Sequence, residues 1–147
     1  MARAGRWFSA VEAFVRASLA YHFAQFVYHE VQGLKNKAQT KKVSCHTRAL
    51  PDLRPRGERV EIPFEDTMLP GILRLPTHAT GAPGGSSVVI LIAGLDSTKE
   101  EFYTLEAEIH LRGLATLAFD GPAQGERSAM ALRPDFEVAV SAVVDFL

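Results

Sequence analysis

The segment Gly94-Leu95-Asp96-Ser97 stands directly after the apolar run Val88-Val89-Ile90-Leu91-Ile92-Ala93. A glycine at a strand end lets backbone come close to a ligand, and the N–H that follows it can donate to a developing oxyanion. A plain turn followed by a helix cap asks for the same residue types, so spacing alone does not separate the two. A second loop, Asp120-Gly121-Pro122-Ala123-Gln124-Gly125-Glu126, also follows an apolar run. Its spaced glycines suggest a phosphate loop, but it lacks the Gly-Lys-Ser/Thr ending of a Walker loop and the third glycine of a dinucleotide fingerprint. A tight turn over the strand end is the better reading. Strand-end loops of an open parallel sheet border the ligand crevice, which makes Asp96, Asp120 and Gly121 candidate lining residues.

A covalent mechanism needs a nucleophile, and none is recognisable. No serine sits in a Gly-x-Ser-x-Gly elbow between a strand and a helix. Cys45 and His46 are adjacent in a connector, where neighbouring side chains diverge, so they read as ordinary connector residues rather than a thiolate pair. His22 and His29 are two helical turns apart and His110 belongs to another helix, so the i, i+4 spacing of metal ligands is missing and no metal site is expected.

These residues have to be held by regular elements. From Trp7 to about Gln32, Phe8, Val11, Val15, Leu19, His22 or Phe23, Phe26 and Val27 recur at three-to-four spacing, which predicts an amphipathic helix with an aromatic-rich apolar stripe, ended by Gly33. The basic run LKNKAQTKK reads as a solvated helix face or linker. Arg59 to Phe64 and Leu69 to Leu75 alternate like two strands of a hairpin. Thr77 to Ser87 reads as a surface loop. Val88 to Ala93 has the β-branched composition of a strand buried on both faces in a parallel sheet. A helix capped near Asp96-Ser97-Thr98, with Phe102, Leu105 and Ile109 on its core face, leads to a strand at Leu114 to Phe119. This is one crossover unit of an α/β fold. Pro134 suits the first turn of a last helix with Phe136, Val140, Val143, Val144 and Leu147 on its apolar face. The sequence stops inside that helix without a cap, as a truncated domain would.

Composition narrows the function. The 147 residues carry 16 basic and 17 acidic side chains, a net charge of -1, so neither nucleic acid nor an anionic membrane is an expected partner. Glu12, Arg16, His22 and Glu30 interrupt the richest apolar stretch before it reaches the roughly 18–20 residues of a membrane span. The single cysteine, Cys45, excludes an intrachain disulfide and fits a reducing cytoplasm. Arg3, Arg6 and Arg16 give the start of the chain only a superficial likeness to a transit peptide, because aromatic residues crowd the same segment. No 20–50-residue repeat suggests a solenoid.

VVILIAGLDSTKEE followed by LRGLATLAFDGPAQGE resembles the amino-terminal half of α/β-hydrolases of the 2,6-dihydroxypseudooxynicotine hydrolase-like group. Upstream, RASLAYHFAQF and ERVEIPFEDTMLPGILRLP resemble that group's helical cap segment and first strands. The resemblance implies a partial α/β-hydrolase core over residues 51–147, preceded by a helical cap segment over residues 1–50. It implies that Gly94 and Leu95 form part of the oxyanion hole, with the Leu95 N–H as donor, and that His22, Gln25 and Phe26 of the cap helix shape the pocket. Full-length members hydrolyse a carbon–carbon bond next to a ketone, or esters, through a serine, a histidine and an acid. All three positions would lie beyond Leu147, so this stretch is expected to be inactive alone. The implied ligand is a small-molecule carbonyl or ester substrate, with no cofactor. Ala123 departs from the group's usual GPGQGE form and would cost roughly 1 kcal/mol if its φ is positive. In that fold the third strand lies between the fourth and the fifth, so without the fifth strand Val88 to Ala93 would be an open edge prone to self-association. A non-catalytic module pairing through that edge is the alternative reading.

Overall fold

The computed structural model describes residues 2–27, 30–76 and 87–147, with side chains from Phe8 onward. His29, the Trp7 side chain and most of the Thr77–Ser87 loop lie outside the described residues. Two helices, α1 (Ala2–Val27) and α2 (Gln32–Ala49), come first and pack on each other. The strands β1 (Gly57–Phe64) and β2 (Thr67–Arg74) follow, then β3 (Val88–Ile92), α3 (Tyr103–His110), β4 (Ala115–Phe119) and α4 (Glu137–Phe146). The strands form one four-stranded sheet in the order β1-β2-β4-β3. β1 and β2 form the expected antiparallel hairpin, turning at Glu65-Asp66, and β2 also runs antiparallel to β4. β3 and β4 are parallel, with Val88 opposite Ala115 and Ile92 opposite Phe119, so both strands deliver their following loops to the same edge.

The period of two in each strand sorts the sheet into two unlike faces. Ile62, Phe64, Leu69, Leu117 and Phe119 point to one face, where Ala139 and Val143 of α4 complete an apolar cluster and Phe136 and Val140 pack at its margin. The alternate positions Ile72, Arg74, Thr116 and Asp120 point to the other face. There Ile72 joins Val15, Ala49, Leu50 and Leu53 in a smaller apolar cluster, and buried polar and charged groups lie beside Leu91 and Ala118.

Several expectations need correction. Gly33 does not end a helix but sits in the first turn of α2, whose buried stripe is Ala38, Lys42, His46 and Ala49. The basic run is therefore helical, and one of its lysines is buried. α1 turns Val15, Ser18, His22 and Gln25 inward and leaves Phe8, Phe23, Phe26 and Val27 exposed. The rotation is set by polar pairing: the Ser18 hydroxyl donates to the Lys42 carbonyl at 3.1 Å, and His22 lies 3.3 Å from Glu101. β3 is half-buried rather than sealed on both faces, because among the described residues it has a hydrogen-bonded neighbour on one side only. Asp96-Ser97-Thr98 forms no side-chain cap; a short 3-10 turn, Lys99–Phe102, precedes α3. That helix buries Glu106 and His110, while Leu105 is exposed. Val144 of α4 and Leu147, just past its end, are also exposed.

Candidate functional site

The loops after β3 and β4 meet at the carboxyl edge of the sheet, beneath α1 and α2. Between them lies a cavity of about 260 Å³ whose wall includes Gln25, Gln39, Leu95, Asp96, Ser97 and Ala123. A neighbouring hollow of about 320 Å³ joins Gln25 and Asp96 to Phe26. Among the sequence-selected residues, Gln25, Phe26, Leu95 and Asp96 thus come together, and Gly94 lies exposed beside them. The other three sit beneath the surface. His22 is buried and turned to Glu101. Asp120 is fully buried, its carboxylate accepting from the Lys99 N–H, the Lys99 ammonium and the Glu126 N–H. Gly121 is enclosed beside Phe136 and donates its N–H to the Gln124 side chain. These three support the wall instead of forming it.

Leu95 N–H has no hydrogen-bond acceptor among the described residues, and the residue is exposed on the cavity wall. The Gly94 carbonyl of the same peptide accepts from Ser97 N–H at 2.9 Å and from Gln124 Nε2 at 3.2 Å. An open peptide donor at a strand end can polarise a substrate carbonyl. The described residues lining this cavity include no histidine and one carboxylate, that of Asp96.

Below the cavity the two loops and α2 are tied by buried charges that the sequence did not reveal as partners. Lys42 donates to Thr98 Oγ1 at 2.6 Å and lies 3.4 Å from Glu100. Lys99 Nζ reaches Glu100 at 2.9 Å, Asp120 at 2.6 Å and Glu126 at 2.7 Å. Arg59 holds Glu126 through two bonds, at 2.7 and 3.2 Å. The three carboxylates offer oxygens within 4.8 Å of one another, a spacing that suits a metal ion, and the Lys99 ammonium occupies the middle of that set. Three acids and three cations balance, which is what makes such burial tolerable.

The electrostatics follow from that balance. Burial works against the Lys99 ammonium, yet Glu100, Asp120 and Glu126 together hold its pKa above the ordinary lysine value. Burial likewise opposes the Glu100 carboxylate, and Lys99 and Lys42 overcome it and hold its pKa far below the usual range. For Lys42 burial wins over Glu100 and Asp120 and lowers the pKa. Burial and Lys42 lower the His22 pKa and favour its neutral ring, against the pull of Glu101 toward the charged form. His46 is pushed down to about 4 by burial.

The signal for Lys42 was available in the four-residue spacing of Ala38, Lys42 and His46, but a lysine is ordinarily assigned to solvent. Gln124 could have been suspected from its place between two residues that need unusual backbone: Ala123 has φ 66° and Gly125 φ 44°.

A mixed sheet with a parallel β3–β4 pair, flanked by helices and carrying an open N–H at a strand end, is the amino-terminal portion of an α/β-hydrolase fold. Residues 2–147 match the family described as esterase FrsA-like, and the chain belongs to that family. It is 38% identical over 97% of its length to 2,6-dihydropseudooxynicotine hydrolase of Paenarthrobacter nicotinovorans, covering 38% of that protein. It is 36% identical over 99% of its length to the α/β-hydrolase xenA of Xenoacremonium sinensis, covering 36% of it. The crystal structure of 2,6-dihydroxy-pseudo-oxynicotine hydrolase superposes with a TM-score of 0.85 at 36% identity, over 99% of this chain and 40% of that one. AbyA5, at 20% identity and a TM-score of 0.73, shares the fold. The chain therefore spans little more than a third of the length of the curated relatives it matches.

Proposed function

We propose that this chain is the substrate-orienting part of a serine-type hydrolase that cleaves an ester or a carbon–carbon bond next to a ketone. The observation that carries the reading is the Leu95 N–H, open to the cavity at the carboxyl end of β3 while its own carbonyl partner is tied down. In this reading Gly94 and Leu95 supply one side of an oxyanion hole, α1 and α2 cap the pocket, and Gln25, Phe26 and Asp96 shape its wall. His22, Asp120 and Gly121 support that wall from beneath. The nucleophile, its base and the acid come from polypeptide other than residues 1–147, so these residues alone turn over no substrate. A serine nucleophile with a histidine and an acid requires no cofactor.

The test is made on the endogenous polypeptide that contains this segment. Its intact mass and carboxyl-terminal fragments come first, followed by labelling with a fluorophosphonate and hydrolysis of an activated ester. The expected result is a labelled serine outside residues 1–147, and a loss of roughly 10²-fold in kcat on Leu95→Pro, which removes one oxyanion donor. Labelling without any effect of Leu95→Pro would discard the donor role. No labelling and no hydrolysis would discard the hydrolase reading.

A second reading is favoured by a different observation. β3 is a sheet edge among the described residues, and Ile92 on it is 47% exposed. An uncharged edge of this kind pairs readily with another strand. On this reading the chain is a non-catalytic module that self-associates through Val88 to Ala93, and a dimer dissociated by Ile92→Lys would support it.

A further inference from the structure

The Gly94–Leu95 peptide is held by its oxygen. In a trans peptide the C=O and the following N–H point in opposite directions. Whatever grips the Gly94 carbonyl therefore aims the Leu95 N–H. Two donors grip it, Ser97 N–H from within the same turn and the Gln124 side-chain amide from the loop after β4. The same Gln124 Nε2 also donates to the preceding carbonyl, of Ala93, at 2.6 Å. Two successive carbonyls thus turn toward one nitrogen, which an extended strand with alternating carbonyls would not allow, and the N–H groups of Gly94 and Leu95 are left facing away from Gln124.

Gln124 is itself fixed with little freedom. It is 5% exposed, and its Oε1 accepts the Gly121 N–H at 3.0 Å. On either side Ala123 and Gly125 adopt left-handed backbone, which folds the loop back under the end of β3. A Cβ on Gly125 would collide with the Asp120 carboxylate, which anchors this loop through Lys99 and the Glu126 N–H. The amide thus links the loop after β4 to the peptide that carries the open donor.

We infer that Gln124 is a positioning residue that sets the direction of the Leu95 N–H. The catalytic consequence rests on the hydrolase reading above; the geometric one does not. Gln124 touches no substrate in this role. It acts through the peptide, so its loss should lower the rate of the chemical step and leave substrate affinity in place.

Two variants test this. Gln124→Glu keeps the acceptor for Gly121 and loses both donations at neutral pH; Gln124→Met keeps the length and removes every hydrogen bond without adding charge. Each is compared with the native chain by the Leu95 N–H residual dipolar coupling and the Ala93 and Gly94 carbonyl ¹³C shifts. The expected result is that these move in both variants while the couplings of β4 stay. In the complete, active polypeptide, kcat falls roughly 10- to 100-fold with KM within about two-fold. In Gln124→Glu, kcat partly recovers on acidification, as the protonated carboxyl regains a donor. If one variant fails to fold, the other carries the test. An unchanged Leu95 coupling overturns the inference whether or not the polypeptide is active. A moved coupling with unchanged kcat overturns its catalytic half. A polypeptide without hydrolase activity whose Leu95 coupling still moves refutes the proposed function and leaves the positioning role of Gln124 intact.

Discussion

The two faces of the sheet bury their side chains by opposite means. On the α4 face Ile62, Phe64, Leu69, Leu117 and Phe119 meet Ala139 and Val143, and no charge is buried in that cluster. On the α1–α2 face Lys42, Lys99, Glu100, Arg74 and Glu106 are each at most 2% exposed. Arg74 there donates to Glu106 at 2.6 Å and to the Pro55 carbonyl at 2.9 Å, and Thr116 links Glu106 to His110. The apolar face tolerates changes of shape at a graded cost, whereas the charged face depends on every partner being present. The difference matches position. The cavity and the Leu95 donor lie at the edge of the charged face, where directional bonds fix loops as dispersion contacts cannot.

The contrast can be broken most forcefully at its centre. Lys99→Ala leaves Glu100, Asp120 and Glu126 facing one another without their shared ammonium. The expected destabilisation is about 3–5 kcal/mol in denaturant unfolding. A loss below about 1 kcal/mol would mean that the carboxylates take up protons or water, and that this face is not a closed ionic unit. On the opposite face Leu117→Ala should cost about 2–4 kcal/mol, with the carbonyl shifts of Ala93 and Gly94 unchanged. If those shifts moved as much as in Gln124→Met, the two faces would not be mechanically separate.

Acid should act on the charged face selectively. Burial lowers His46 from 6.5 to about 4, a shift that Glu100 opposes and Lys99, Arg74 and Lys42 deepen. The unfolded chain therefore takes up this proton at a higher pH than the folded one. The stabilisation is complete above about pH 6.5 and is lost as pH falls toward 4. His110, lowered to about 4 by burial and Arg74, has the same sign. For His46 the loss should be about 1–2 kcal/mol between pH 7 and pH 5, read from unfolding at each pH. A His46→Asn variant with an equally steep pH dependence would remove this residue from the account.

The smallest effect lies at the loop that joins floor and donor. Ala123 has φ 66°, where an alanine is strained, so Ala123→Gly should raise stability by about 0.5–1 kcal/mol. A decrease would show that the alanine methyl group on the cavity wall contributes more by packing than its backbone costs.

Much of this protein was legible in its sequence, and the legible part has a common cause. The hairpin, the β3–α3–β4 crossover, α4 and the apolar cluster follow from periodicity and composition, which are local properties of consecutive residues. The peptide after β3 was flagged by a glycine at a strand end, but spacing alone did not separate an open donor from a plain turn. The rotation of α1 was not, because its exposed Phe23 and inward His22 reverse the hydrophobic ordering. Nor were the burial of Lys42 or the roles of Lys99, Glu100 and Gln124. A charged or amide side chain reads as solvent-facing unless its partners are known, and Asp120 lies 21 positions from Lys99, Ala93 31 from Gln124 and Glu100 58 from Lys42. Local periodicity was enough for the hairpin, for β3, α3 and β4 and for α4, but not for α2. Which charges are buried, and where the Leu95 N–H points, follow from contacts between distant segments. Both depend on opposite charges and hydrogen-bond donors meeting across the chain, and that pairing has no local signature.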